Sequence, residues 1–166
     1  MHPTFLKGDS VDALDRRILI ELQKDGSLTN AHLAELVGLS QSAMSERVRR
    51  LESDGHITGY RALVSPASLG LGLQAFLAAE LVHHETACIE GFERGVVALP
   101  DVVACYHVAG RFDYLLRVAV RDLEHLGRLI KDDIAAIPGV DKVETMLVYS
   151  EVKPDAGWPA FEDAES

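Results

Sequence analysis

The sequence predicts an α+β protein with an N-terminal helix-turn-helix domain and a C-terminal ferredoxin-like βαββαβ domain built on an antiparallel sheet. In residues 29–51, apolar side chains recur at helical spacing on both sides of a glycine. Residues 74–152 alternate strand-like and helix-like segments in the order β-α-β-β-α-β. Proline and closely spaced glycines in residues 66–72 indicate a boundary between these regions. The expected divisions are a helix-turn-helix domain (1–61), a linker strand and hinge (62–73), a ferredoxin-like domain (74–153) and an acidic tail (154–166).

Length and composition limit the class of protein. The chain has 166 residues, of which 48% are apolar, so it can bury the cores of two small domains. It contains no run of about 18 apolar residues and no signal-like N-terminus, which predicts a cytoplasmic protein that does not enter a membrane. The two cysteines, Cys88 and Cys105, are too few for a disulfide framework and are expected to be small buried hydrophobic residues.

The helix-turn-helix prediction depends on caps and apolar stripes. Thr29 is a typical N-cap, and Gly38 ends the first helix because glycine adopts the left-handed C-cap conformation without a Cβ clash. Ser40 caps the second helix. The inward stripe of that helix is Met44, Val48 and Leu51. An earlier amphipathic helix supplies the packing partner through Leu14, Ile18, Leu19 and Leu22.

The outward face of the second helix carries side chains that suit double-stranded DNA. Short hydroxyl and amide groups and forked guanidinium groups reach phosphates and base edges. We expect the three arginines to contact phosphates or guanines, and the two serines to contact the backbone or bases. The candidate DNA-binding residues are Gln41, Ser42, Ser45, Glu46, Arg47, Arg49 and Arg50. An ordinary polar face on a surface helix hairpin is the alternative.

Charge permits DNA binding but does not argue for it. The whole chain carries −10, whereas residues 1–61 hold eight cationic and nine acidic side chains and so carry only −1. The cations of that region concentrate between Arg47 and Arg61. Because net negative charge opposes association with DNA, we expect weak non-specific affinity per protomer and dependence on several protomers binding together.

The second region is predicted element by element from periodicity. A strand after the wing-like turn is followed by the β-α-β-β-α-β order, and in the second helix Leu123, Leu126, Ile130, Ile134 and Ile137 form the stripe. The predicted strands are 61–65, 74–82, 102–109, 113–120 and 143–152, and the predicted helices are 85–99 and 122–137. Residues 113–121 carry apolar side chains on both faces of their strand. This predicts a homodimer through the sheets.

The hairpin turn at Gly110 is the candidate effector site. Amides exposed in a glycine turn can bind a carboxylate, Asp113 can bind an α-ammonium group, and Arg111 can clamp a carboxylate. The candidate effector residues are Ala109, Gly110, Arg111, Phe112, Asp113, Tyr114 and Thr145, with Met146 and Leu147 as further candidates for the same cleft. For Thr145, Met146 and Leu147, a place in the sheet core is the favoured alternative. The alternative is a tight hairpin whose aspartate satisfies its own backbone.

These residues resemble a known family. Leu39-Ser40, the Arg-Val-x-x-Leu-Glu of residues 47–52 and the Gly-x-Ile-x-Gly-Tyr of residues 55–60 follow the order of the N-terminal, winged-type DNA-binding domain of the Lrp/AsnC (feast/famine) transcription regulators. Residues 108–116 are similar to the Gly-x-x-Asp-Tyr pattern of that family. The resemblance covers roughly residues 11–153. One departure is Ala109, where the family commonly has threonine, and it removes a hydroxyl from the expected site.

The resemblance implies a non-enzymatic regulator with an amino-acid effector held between dimers near this turn, and dimers that assemble into octamers or open arrays. Two other functions stay open. Sirohaem decarboxylases resemble the two-domain layout and act through histidines, for which His83 and His107 are candidates. A nucleoid-packaging protein would bind DNA with little sequence preference. No metal site and no other cofactor are expected, since adjacent residues such as His83 and His84 point to opposite faces of a strand.

Overall fold

The computed structural model describes residues 11–159, so the first ten residues of the expected DNA-binding domain and residues 160–166 of the expected tail lie outside it. The described chain divides into two compact units, residues 11–63 with 153–159 and residues 64–152. In chain order the elements are α1 (Ala13–Lys24), α2 (Asn30–Val37), α3 (Gln41–Ser53), a 3₁₀ turn (Pro66–Leu69), β1 (Leu73–Leu81), α4 (Thr86–Val97), β2 (Val102–His107), β3 (Tyr114–Val120), α5 (Leu123–Arg128), a π-helical stretch (Leu129–Ile134) and β4 (Val140–Leu147).

The caps of the N-terminal unit lie where local sequence rules place them. The Thr29 hydroxyl accepts a hydrogen bond from the His32 amide, and the Ser40 hydroxyl accepts one from the Ala43 amide. Gly38 ends α2 with a φ of 77°, a left-handed conformation that favours glycine. The helix-turn-helix prediction is therefore confirmed at both helices and at the turn between them.

One hydrophobic cluster holds the three N-terminal helices together. Ile18 of α1, Leu33 of α2 and Met44 of α3 are fully buried in it, and Leu51 is nearly so. Side chains of this size contribute about 1.5–3 kcal/mol each when they leave water. The cluster thus packs α3 by its inner face and leaves the other face of α3 toward solvent.

The C-terminal unit is a four-stranded antiparallel sheet in the order β2-β3-β1-β4. This order confirms the ferredoxin-like prediction. Its core lies between the sheet and the helices, where Phe92 and Val96 of α4 meet Leu77 of β1 and Leu116 of β3. Because side chains alternate along a strand, the neighbouring residues of β1 and β3 occupy the opposite face of the sheet.

Within the C-terminal unit, the described helices pack on the core face, and none of them covers the opposite face. Phe76 pairs across from Arg117 and Met146, and Leu115 pairs across from Tyr106. Tyr106 is 55% exposed and Met146 is 46% exposed, although both are large apolar side chains. We refer below to these residues as the open sheet face.

Four details of the sequence prediction are wrong. Cys105, expected to be buried, is exposed. Residues 61–65 form no strand, since a strand needs a hydrogen-bonded neighbour and these residues are exposed without one. The last strand spans Val140–Leu147 instead of 143–152. In the last helix, Leu123 lies in the first turn and is 65% exposed, whereas Leu129 and Ile134 are both buried at the five-residue spacing of the π-helical stretch that contains them.

Candidate nucleic-acid interface and effector site

The solvent-facing side of α3 carries the candidate DNA-binding residues. Six of the seven are exposed and the other, Arg47, is partly buried. Ser42 lies at 3.2 Å from the Ser40 hydroxyl, and the Ser45 hydroxyl accepts a 3.3 Å hydrogen bond from Asn30 of α2. These serines therefore keep hydrogen-bonding capacity at the N-terminal end of the helix, the end that reads base edges in helix-turn-helix proteins.

The three arginines of α3 differ in their surroundings. Arg47 donates from Nη1 to carboxylate oxygens of Asp12 and Asp15, at 2.7 Å in each case, and Arg50 donates to the second oxygen of Asp15 at 2.6 Å. The Arg47 side chain is 28% exposed and that of Asp15 only 1%. Arg49 is exposed and has no ion-pair partner in the described part of the chain. Of the three arginines of α3, Arg49 is thus the one whose guanidinium faces solvent with no carboxylate bonded to it in the described residues.

Asp12 and Asp15 contact two of the candidate DNA-binding arginines, and the sequence analysis missed them. They form a capping box at the start of α1, in which each carboxylate accepts from the other residue's amide. The Asp15 amide, followed by the Arg47 guanidinium, holds the pKa of the Asp12 carboxyl below its ordinary value. In the sequence, the three-residue spacing of these two aspartates at the start of a helix predicts a capping box. It does not predict a contact with α3.

Residues of the tail extend this unit. The side-chain amide of Gln23 accepts from the Trp158 amide at 2.6 Å and donates to the Trp158 carbonyl at 3.3 Å. Gly157 has a φ of 85°, and a Cβ there would lie 2.5 Å from the Gln23 oxygen. The backbone of the tail therefore packs against α1 by a close approach that glycine allows, while the Trp158 ring stays 86% exposed.

The candidate effector residues surround the turn between β2 and β3. Gly110 has a φ of 153°, and residues 109–111 are exposed. Arg111 donates to Glu144 of β4 at 2.7 Å and lies 4.9 Å from the centre of the Phe112 ring. Lys142 first, and Arg111 after it, lower the pKa of Glu144. The Arg111 guanidinium consequently has an anionic partner already, although its side chain is 67% exposed.

Asp113 lies at the end of the same turn with its carboxylate oriented by the sheet. One oxygen accepts a 2.8 Å hydrogen bond from the Leu81 amide, and the other lies 2.8 Å from Nε2 of His84. The Leu81 amide, and then His84, hold the pKa of Asp113 below its ordinary value. This carboxylate is an oriented anion with a side chain that is 20% exposed.

Tyr114 and Thr145 occupy other positions. Tyr114 is 2% exposed, stacks on His107 at 4.6 Å and donates its hydroxyl to Glu93 at 3.1 Å. Burial, followed by the bond to Glu93, raises the pKa of Tyr114. Thr145 lies opposite Leu77, on the helix-covered side of the edge strand β4. Of the candidate effector residues, the turn from Ala109 to Asp113 is the part that reaches solvent together.

The described residues contain neither a candidate metal-binding cluster nor a helix that could span a membrane. No group of three or more His, Cys, Asp or Glu side chains in residues 11–159 is arranged to hold a metal ion. Within the same range, no helix has the length and apolar character needed to cross a membrane.

The chain combines a helix-turn-helix, whose second helix exposes arginines, with an α+β domain that carries a candidate ligand site. This combination defines a DNA-binding transcription regulator. Comparison with known proteins gives the family. Residues 11–58 match the model of the winged helix-turn-helix DNA-binding domain, and residues 74–158 match that of the Lrp/AsnC ligand binding domain. The chain belongs to the Lrp/AsnC family of transcriptional regulators.

Relatives and solved structures agree with this assignment. The leucine-responsive regulatory proteins of Escherichia coli K12 and Salmonella typhimurium are each 40% identical to the chain over 146 residues, which is 88% of this chain and 89% of theirs. A transcriptional regulator from Neisseria meningitidis in complex with L-methionine has a TM-score of 0.85 at 34% identity, covering 90% of this chain and 97% of its own. A feast or famine regulatory protein from M. tuberculosis, also with L-methionine, has a TM-score of 0.79 at 32% identity, covering 88% and 97%.

Proposed function

We propose that this regulator binds a specific DNA operator through the exposed side of α3 and changes its assembly or DNA affinity when an amino acid binds at the Ala109–Asp113 turn. The observation that carries the proposal is the Asp113 carboxylate, which the Leu81 amide holds in place beside an exposed glycine turn. A pre-oriented anion next to free backbone amides is complementary to the ammonium and carboxylate of an α-amino acid.

Relatives indicate the chemical class of the effector. Two solved structures of similar regulators contain L-methionine, and the curated relatives are named as leucine-responsive. We expect an apolar amino acid here too. In our proposal Asp113 receives the ammonium group, the amides of Gly110 and its neighbours receive the carboxylate with Arg111, and Phe112 lines the site. Ala109 contributes no hydroxyl, so it contributes only its backbone.

On the DNA side, the three arginines divide into two roles. Arg49 contacts a phosphate or guanine directly, since it faces solvent without an acidic partner. Arg47 holds α3 against α1 through Asp12 and Asp15. Arg50 uses one nitrogen on Asp15 and retains further N–H groups for a phosphate, because a guanidinium has five donors.

Assembly follows from the open sheet face. Phe76, Leu115, Tyr106 and Met146 present apolar surface that a second copy of the sheet would cover. We propose a homodimer through this face, which presents two helix-turn-helix units to two half-sites, and further assembly of dimers into a higher oligomer such as an octamer. The protein acts in the cytoplasm, where DNA and free amino acids are both present.

The test is a gel shift with the DNA upstream of the protein's own gene, a random competitor of equal length, a salt titration and a panel of amino acids that includes L-methionine and L-leucine. We expect a salt-sensitive shift that the random competitor does not abolish and that one amino acid alters. Asp113→Asn should abolish the amino-acid response while leaving DNA binding intact. Equal affinity for operator and random DNA would indicate a nucleoid-packaging protein instead, and the absence of any shift at low salt would refute the proposal.

A further inference from the structure

His84 lies against the oxygen of Asp113 that the Leu81 amide leaves open. Its Nε2 lies 2.8 Å from Oδ1, while Oδ2 accepts from the Leu81 amide. An ionised carboxylate can only accept hydrogen bonds, so His84 must be the donor. The backbone amide of Leu81 belongs to the sheet and cannot leave, whereas a side chain can.

The exposure of the two groups indicates which one gives way. The His84 side chain is 65% exposed and lies in the loop between β1 and α4, whereas the Asp113 side chain is 20% exposed. An exposed histidine can rotate into solvent, and rotation would uncover the carboxylate. His84 is therefore a removable cover over the acidic group of the effector site.

Few other titratable groups act on this pair. His107 of β2 lowers the pKa of Asp113 by its charge and stacks on the Tyr114 ring. Along the chain, His84 is flanked by His83 and Glu85, for which no hydrogen bond to Asp113 is present in the described residues. Arg111 is directed to Glu144. A charge on His84 is thus the one that opposes a cation at Asp113 by direct contact.

We propose that His84 is an affinity-determining residue of the effector site, whose protonation competes with the ammonium group of the amino acid for Asp113 and makes effector binding weaken as the pH falls. This inference rests on the proposed function of the Asp113 turn. Histidine is the side chain that changes charge between about pH 5 and 8. In its charged form it bonds a carboxylate more strongly than in its neutral form.

The test is calorimetric titration of the full-length protein, without DNA, with L-methionine and L-leucine at several pH values. We expect wild-type affinity to be weaker at about pH 5.5 than at about pH 8, since competition with one proton changes affinity by up to about tenfold for each pH unit below the pKa of the competing group. His84→Gln keeps an amide donor for Asp113 but cannot take up a proton. It should bind with nearly constant affinity over this range, and tighter than wild type at the acidic end.

A second readout separates this role from a merely structural one. Titrations of wild type at about pH 6.5 in two buffers of different ionisation enthalpy should show proton release on binding, and His84→Gln should show much less. His83→Ala is the matched control, because it removes the adjacent histidine and should retain both the pH dependence and the proton release of wild type.

The outcomes are distinguishable. If neither amino acid binds wild type at any pH while DNA binding is normal, the proposed effector function and this inference both fail. If wild type binds but His84→Gln keeps the same pH dependence, or binds more weakly than wild type throughout, the proposed function stands and the role of His84 is refuted.

Discussion

Replacing Arg47 should mainly lower the stability of the protein, whereas replacing Arg49 should mainly weaken DNA binding. In Arg47→Ala, Asp15 loses one of its two guanidinium partners although it is 1% exposed. Removing the partner of a buried carboxylate costs about 3–5 kcal/mol when nothing compensates. Arg50 still donates to Asp15 at 2.6 Å, so we expect a smaller loss of about 1–2 kcal/mol in the free energy of unfolding. For a small domain this lowers the melting temperature by roughly 5–15 °C.

Arg49→Ala should have the opposite profile. The side chain is exposed and has no ion-pair partner in residues 11–159, and substitutions of such residues change stability by about 0.5 kcal/mol or less. Loss of one phosphate contact should reduce the slope of log affinity against log salt by about 1 per bound protomer. Fluorescence anisotropy with labelled operator DNA over a range of salt concentrations measures this slope, and thermal unfolding by circular dichroism measures stability.

Arg94→Ala is the control, since Arg94 lies on α4 with an exposed side chain and a long 3.6 Å pair to Glu90. It should change neither quantity. The reasoning is refuted if Arg47→Ala unfolds like wild type and lowers the salt slope as much as Arg49→Ala does, because Arg47 would then be a DNA contact whose bonds to α1 add nothing.

Three further variants have expected outcomes. Asp12→Asn keeps an N-cap and removes one anion beside Arg47, so operator affinity should increase in the same anisotropy assay, and unchanged or weaker binding would contradict this. Asp12→Asn should also reduce the loss of stability below about pH 4. The Asp12 carboxyl has a lowered pKa, so it stabilises the fold at pH values above its ordinary pKa and loses this effect when it is protonated. Gly38→Ala should cost about 1 kcal/mol in chemical denaturation, since φ is 77°. Tyr114→Phe should cost about 1 kcal/mol by loss of the bond to Glu93, and an unchanged midpoint would show that bond to be neutral.

The sequence predicted best what local rules determine. Thr29, Gly38 and Ser40 act within one helical turn of the chain, so their roles could be read from neighbouring residues. The order of strands and helices could be predicted for a related reason, because periodicity reports the face that each element buries. The turn at Gly110 was found in the same way.

Long-range contacts explain what the sequence did not predict. Arg47 is separated from Asp15 by 32 residues, and no local pattern indicates that the two side chains meet. His84 and Asp113 are 29 residues apart and meet only because β1 and β3 pair in the sheet. The burial of both Leu129 and Ile134 depends on a change to π-helical hydrogen bonding at Leu129–Ile134, which the apolar spacing does not reveal.

The ion pairs between α1 and α3 bear on how this protein could be re-engineered. An exchange of α3 alone would move the candidate DNA-binding residues without the residues that hold them. Here the orientation of Arg47 and Arg50 depends on Asp12 and Asp15, which lie outside that helix and well before it in the chain. The set of residues that would have to be transferred together is therefore discontinuous in the sequence. A chimaera that receives α3 without the acidic start of α1 would have the same arginines without the carboxylates that orient them.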